Sequence, residues 1–101
     1  MFPKTVFGQA HGVVLIIDLA NRASFDMIRE WNNKISTEFR PNTQKVLIAN
    51  KMDLEQQRAF SLMEAHKIAR DLGFVGYYEI SAKENINVNK PIEDLIQSIY
   101  F

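Results

Sequence analysis

Polar side chains follow a short apolar run near the middle of the chain. The run over residues 46–49 is typical of a strand buried on both faces, and it ends in Asn50, Lys51 and Asp53. A fixed carboxylate can accept two hydrogen bonds from the N1–H and 2-amino groups of guanine, a donor pair that adenine lacks. A lysine stem can lie across a base, and an asparagine amide can brace nearby backbone. Taken alone, this short pattern is weak evidence, because a polar loop after a buried strand has the same composition.

The composition is that of one ordinary globular domain. The chain has 101 residues, of which 47% are apolar and 24% charged, and this predicts a single domain. Twelve basic residues balance twelve acidic ones, so no net charge favours nucleic acid as a partner. The absence of cysteine excludes disulfides, thiolate metal sites and prenyl or palmitoyl anchors within these residues. With no apolar run near the ~20 residues of a membrane span, we expect a soluble, cytoplasmic chain without a direct membrane anchor.

Apolar segments and helical patterns alternate along the chain. We predict strands over residues 13–18, 45–50 and 77–81 and helices over residues 24–39, 61–72 and 90–100. Residues 1–12 show no clear period and are expected to be irregular. Alternation of this kind predicts right-handed crossovers and an α/β domain with a parallel sheet of about three strands.

Local signals set several of these boundaries. Ser24 is the expected N-cap of the first helix, and Ser61 with Glu64 predicts a capping box at the start of the second. Gly73 fits the position after the last turn of that helix. Pro91 lacks an N–H, so we expect the last helix to begin close to it, near residue 90.

Because parallel strands of one sheet end at the same edge, polar residues after the three strands should meet in space. These are Asp18, residues 50–53 and residues 81–83. Asp18 is expected to cap its strand end rather than to touch a ligand.

Two motifs in order make the chain resemble the C-terminal half of a small GTPase of the Ras superfamily, most similar to the Rab branch. Residues 50–53 match the Asn-Lys-x-Asp guanine motif, and residues 79–83 match the second base-binding motif of that family. Residues 10–18 resemble its fourth strand, and residues 21–25 with Trp31 resemble the helix that follows. The resemblance implies the guanine-binding half of a three-layer, P-loop GTPase-like α/β domain.

The resemblance assigns roles to the residues of the first motif. Asp53 would accept from the N1–H and 2-amino groups of guanine, and Asn50 would tie its loop to a phosphate-binding loop. Lys51 and Lys83 would flank the base with their stems. Solvated surface lysines are the alternative for both.

It also assigns roles in the second motif. The N–H of Ala82 would donate to the guanine O6, and Ser81 would hold the 50–53 loop. Ser81 could equally be only a turn residue. No catalytic residue and no metal ligand are predicted.

The phosphate half of the family pattern is not in this sequence. None of its four glycines is followed by lysine, so the Gly-x-x-x-x-Gly-Lys-Ser/Thr loop is absent, as is the Asp-x-x-Gly motif. Phosphate and magnesium contacts supply much of the affinity in such sites. We therefore expect a truncated domain over residues 1–101 with weak GTP or GDP binding at most. Mg²⁺ would bind only if the missing half were supplied, and we expect no hydrolysis by the chain alone.

The resemblance implies regulation of vesicle traffic, since full-length relatives associate with endomembranes. The alternative is a non-catalytic interaction module that uses the GTPase fold, with a partner patch formed by Met27, Trp31 and Phe39. Trp31 could instead pack against the core. An uncovered edge on strand 13–18 would favour a protein partner or a strand-edge dimer. A third class is a phospho-acceptor receiver domain. It would need several acidic residues clustered after an early strand, and only Asp18 stands at such a position.

Overall fold

Strands and helices alternate in the computed structural model, which describes residues 6–7, 12–38, 43–51, 56–81 and 89–100. In chain order the elements are β1 Val6–Phe7, β2 Gly12–Asp18, α1 Arg22–Asp26, α2 Ile28–Glu38, β3 Gln44–Asn50, α3 Leu62–Asp71, β4 Tyr77–Glu79 and α4 Asn89–Tyr100. The α/β class and all three predicted strands are confirmed.

The sheet has the order β1-β2-β3-β4, with β2, β3 and β4 parallel. The prediction of a wholly irregular segment over residues 1–12 is wrong at Val6–Phe7, which pairs antiparallel with the first two residues of β2. Two residues are too few to show a strand period, so the sequence pattern could not reveal this strand. The edge of β2 is therefore partly covered at its start.

The predicted helix over residues 24–39 is two helices. The break falls at Met27, whose N–H donates to the carbonyls of Ala23 and Phe25 and so closes α1 before α2 begins. Phe39 lies outside the described residues. Phe25 and Ile28 of this run are buried, but apolar spacing could not show a change of hydrogen-bond partner within it.

The start of α1 also corrects the predicted cap. The N-cap is Asn21, whose side chain accepts from the N–H of Ala23 at 2.9 Å. The Ser24 hydroxyl is used elsewhere, because it accepts from the N–H of Asp18 at 2.9 Å. A serine hydroxyl in the first turn of a helix can accept from any nearby N–H, and here the N–H of Asp18 at the end of β2 is the nearby donor.

The predicted boundaries of α3 are confirmed within one residue. The Ser61 hydroxyl accepts from the N–H of Glu64 at 3.0 Å, and the Glu64 carboxylate accepts from the N–H of Ser61 at 2.9 Å. Gly73 follows the helix with φ +80°, a left-handed conformation that glycine adopts without steric cost. The sequence alone could predict these signals because the residues involved lie within one helical turn of each other.

The predicted end of β4 and the predicted start of α4 are wrong by two residues and one residue. β4 ends two residues before the end of the predicted strand 77–81, although the N–H of Ile80 still donates to the carbonyl of Ala49 at 2.9 Å. α4 begins one residue before the predicted helix 90–100. Pro91 therefore lies in the first turn, where its missing N–H removes no intrahelical bond.

The sheet is buried on both faces, which confirms the three-layer arrangement. On one face Leu15 and Leu47 pack with residues of α1, α2 and α3 in one apolar cluster. On the other face Val46 and Ile48 pack with Leu95 of α4. Alternate residues of each strand thus contribute to opposite layers. No helix in the described ranges is both long and apolar enough to cross a membrane.

Candidate functional site

The carboxyl ends of β2, β3 and β4 meet at one edge of the sheet. Asp18 and Asn50 are register partners, and Ala49 pairs with Glu79 in the next strand. Ser81 lies two residues after the end of β4. The structure therefore brings the described polar residues of the three strands together, as the alternation of elements predicts. Asp53, Ala82 and Lys83 lie outside the described residues.

Lys51 has an uncommon backbone conformation at this edge. Its φ is +76°, and among the described residues no other residue except glycine has a positive φ. Such a conformation is unfavourable for a side chain other than glycine, and at a functional site it persists only where neighbouring contacts hold it. The Asn50 side chain accepts from the N–H of Lys51 at 2.8 Å. An asparagine amide thus braces the turn, which is the role that its chemistry predicts.

The Lys51 ammonium lies against the end of β2. Its Nζ donates to Oδ2 of Asp18 at 2.9 Å, while the lysine side chain keeps 52% of its exposure. The other carboxylate oxygen of Asp18 accepts from the N–H of Ala20 at 2.9 Å. The expected strand-end cap is therefore confirmed. The contact with Lys51 is one that the sequence did not reveal.

The charge of Asp18 is favoured by these contacts. Partial burial alone would raise its pKa, but the hydrogen bonds from Lys51 and Ala20 and the positive charge of Lys51 lower it below the usual value. Asp18 is consequently ionised near neutral pH and keeps the Lys51 ammonium at one place.

A second ion pair, which sequence reasoning missed, lies beside this edge. Nη2 of Arg58 is 2.6 Å from Oε2 of Glu79, and Nη1 is 3.4 Å from Oε1. The Tyr77 hydroxyl donates to the same Oε2 at 2.7 Å. Burial, together with the bond to Glu79, raises the pKa of Tyr77 and keeps its hydroxyl a neutral donor. An acidic residue inside a buried strand could have signalled a basic partner, but not which one.

Ser81 is fully buried at the end of the same strand. In the described ranges, no buried side-chain nitrogen or oxygen lacks a hydrogen-bond partner. A buried, hydrogen-bonded hydroxyl can hold neighbouring backbone in place. The serine of an exposed surface turn would instead bond to water.

The interpretation of Trp31 as a packing residue is confirmed. Trp31 is partly buried and packs against the cluster formed by α1, α2 and α3, and the Lys34 ammonium lies 5.4 Å from its ring centroid. Of the other members of the predicted patch, Met27 is 37% exposed and Phe39 lies outside the described residues. The patch therefore loses its largest member.

Sequence comparisons find a matching family model and several related proteins. The sequence model of the Ras family matches residues 1–101. "GTP-binding protein Rab-3D" of Rattus norvegicus is 42% identical over 90 residues, which is 89% of this chain and 41% of the relative. "Ras-related protein Rab-3D" of Homo sapiens is 41% identical over the same shares, and "Ras-related protein Rab-3B" of Rattus norvegicus is 37% identical. The chain thus spans about two fifths of the length of these relatives.

Proposed function

Because this chain belongs to the Ras family and is of the Rab type, we propose that it carries the guanine-recognising half of a small GTPase domain. The observation that supports this most directly is the geometry of Lys51. Its backbone is braced by Asn50 and its ammonium by Asp18, at the sheet edge where parallel strands place ligands. Residues 1–101 would then form one truncated domain that contributes base recognition and not phosphate binding.

Each predicted site residue has a distinct task in this proposal. The Asp53 carboxylate accepts from the N1–H and 2-amino groups of guanine, and the N–H of Ala82 donates to O6. The stems of Lys51 and Lys83 cover the two faces of the base. Buried Ser81 holds the segment that carries Asp53. Asp18 touches no ligand; it caps the end of β2 and holds the Lys51 ammonium.

Phosphate and Mg²⁺ would be bound elsewhere in this proposal. The sequence has no Gly-x-x-x-x-Gly-Lys-Ser/Thr loop, and no three Asp, Glu or His side chains of the described residues are grouped as metal ligands. We therefore assign no step to a metal ion in this chain. Nucleotide affinity is weak without the phosphate contacts. The cellular role would be that of Rab-type proteins, vesicle-traffic regulation in the cytoplasm and on endomembranes.

We expect GDP to bind about 100-fold more tightly than ADP, because two hydrogen bonds to a carboxylate contribute roughly 1.5 kcal/mol or more each. An amide NMR titration of the 101-residue chain with each nucleotide measures this preference. The signals that shift should include Asn50, Lys51 and Ser81. Equal affinity for both nucleotides, or no binding of either, contradicts the proposal.

We also expect no turnover of GTP by the 101-residue chain. No residue of this sequence occupies a motif that cradles the transferred phosphate or orients a water. Phosphate release in the presence of Mg²⁺ should equal that of buffer alone. A rate above buffer that rises in proportion to protein concentration would show that the chain holds a hydrolytic site.

A second candidate, a non-catalytic interaction module, is favoured by one observation. Ile16 lies in the middle of β2 and remains 39% exposed, an unusual exposure for an apolar residue within a sheet that is otherwise covered on both faces. A protein partner or a second copy of the chain that pairs along β2 would cover it. Failure of both nucleotides to bind in the NMR titration would favour this candidate over the first.

A further inference from the structure

We propose that Arg58 and Glu79 are positioning residues that fix the spacing between two segments, the connection from β3 to α3 and the end of β4 near Ser81. The effect on nucleotide selectivity rests on the proposed function. The mechanical coupling of the two segments does not, because it follows from contacts within the described residues.

The ion pair joins the two segments because each of its partners lies in one of them. Arg58 lies in the connection between β3 and α3, the connection that carries Asp53. Glu79 is the last residue of β4, two residues before Ser81. The pair at 2.6 Å and 3.4 Å is thus a direct link from the connection after β3 to the end of β4. Under the proposed function a bound base contacts both segments, so its affinity depends on the distance between them.

The geometry of the pair favours a positional role over a stabilising one. The side chains of Arg58 and Glu79 keep only 22% and 12% of their exposure, and a buried ion pair adds little net stability because both charges lose water. What a guanidinium does supply is a planar fork with fixed directions. Its Nε donates to the carbonyl of Phe60 at 2.8 Å, so one rigid group contacts its own segment and β4 together.

The far end of the same connection is fixed independently of this pair. The N–H of Ala59 donates to the carbonyl of Leu19 at 2.8 Å, and the ring of buried Phe60 stacks on that of Phe25 at 4.6 Å. Loss of the ion pair should therefore leave residues 59–60 in place and loosen the part nearer to β3 and β4.

Arg58→Lys is the decisive variant, because lysine keeps the charge and loses the fork. Arg22→Lys is the matched control. Arg22 also donates to the connection, at the carbonyl of Ala59, but its carboxylate partners lie on α1 and α3 rather than on β4. Glu79→Gln is the second variant, since glutamine keeps the shape of the acceptor and removes its charge. If Arg58→Lys does not fold, Glu79→Gln tests the positioning role in its place.

The first readout is amide hydrogen exchange in the 101-residue chain without nucleotide. The N–H groups of Lys51 and Ile80 are hydrogen-bonded on either side of the proposed link, and that of Trp31 in α2 serves as reference. We expect both linked amides to exchange about tenfold faster in Arg58→Lys, with Trp31 and the Arg22→Lys control changed less than about twofold. Unchanged exchange, or an equal increase at all three amides, overturns the positioning role.

The second readout is the ratio of affinities for GDP and IDP, which lacks the 2-amino group. A smaller folded fraction lowers both affinities equally, so the ratio reports only the placement of the group that contacts the 2-amino position. We expect the ratio to fall about threefold or more in Arg58→Lys and to stay constant in Arg22→Lys. A constant ratio in both overturns the effect on selectivity. Absence of GDP binding by the unaltered chain contradicts the proposed function, and the exchange result then decides the coupling by itself.

Discussion

Replacement of Asp53 by alanine is expected to remove the preference for GDP over ADP, a loss of about 100-fold. Alanine leaves the N1–H and 2-amino donors of guanine without an acceptor. Each hydrogen bond to a charged group contributes roughly 1.5 to 3 kcal/mol, and about 1.4 kcal/mol is a factor of ten. Amide NMR titrations with the two nucleotides, compared with the unaltered chain, measure the effect.

Glu93→Ala is the matched control for this substitution. Glu93 is an exposed carboxylate on α4, so its removal changes the net charge by the same amount without touching the sheet edge. The preference should survive in that variant. If Asp53→Ala kept its preference for GDP, another group would have to read the base, and the assignment of residues 50–53 would be wrong.

Replacement of Leu47 by alanine is expected to lower the free energy of unfolding by about 3 kcal/mol, within the range of large-to-small substitutions in cores. Leu47 is fully buried at the centre of β3, and its register partners are Leu15 in β2 and Tyr77 in β4. The lost side chain leaves a cavity where two strands and a helical layer meet. Urea denaturation followed by circular dichroism measures the change.

Such a loss is a large part of the roughly 5 to 15 kcal/mol that stabilises a typical domain. Met63→Ala provides the comparison, because Met63 is 81% exposed on α3 and its truncation should change the stability by less than about 0.5 kcal/mol. A Leu47→Ala chain as stable as Met63→Ala would show that β3 is not the centre of the core.

The two motifs of the proposed site could be recognised in the sequence alone. The proposed site draws its residues from the ends of β3 and β4, with Asp18 of β2 holding Lys51, yet each motif could be recognised because its residues are contiguous. The capping box of Ser61 and Glu64 was readable for the same reason, and so was the buried run that forms β3. Contiguous patterns of this kind reflect backbone geometry, which repeats along the chain.

Errors in the sequence-based prediction arose where particular hydrogen bonds, and not apolar spacing, decided the local structure. The Ser24 hydroxyl bonds to the end of β2 instead of capping its own helix, and Asn21 takes over the cap. The helical run beyond it breaks at Met27 although its apolar spacing continues. Propensity and periodicity are local quantities, so they do not report such competition.

By itself the sequence determined the order of the three parallel strands and of the helical segments that follow them, the family, and which residue types stand at the ends of those strands. Only the tertiary structure decided that Lys51 is held by Asp18, 33 positions away, and that Arg58 is paired with Glu79, 21 positions away. The physical reason is that charged side chains have many acceptable partners in a linear chain. The folded sheet brings one partner within hydrogen-bond distance and determines the direction from which it approaches.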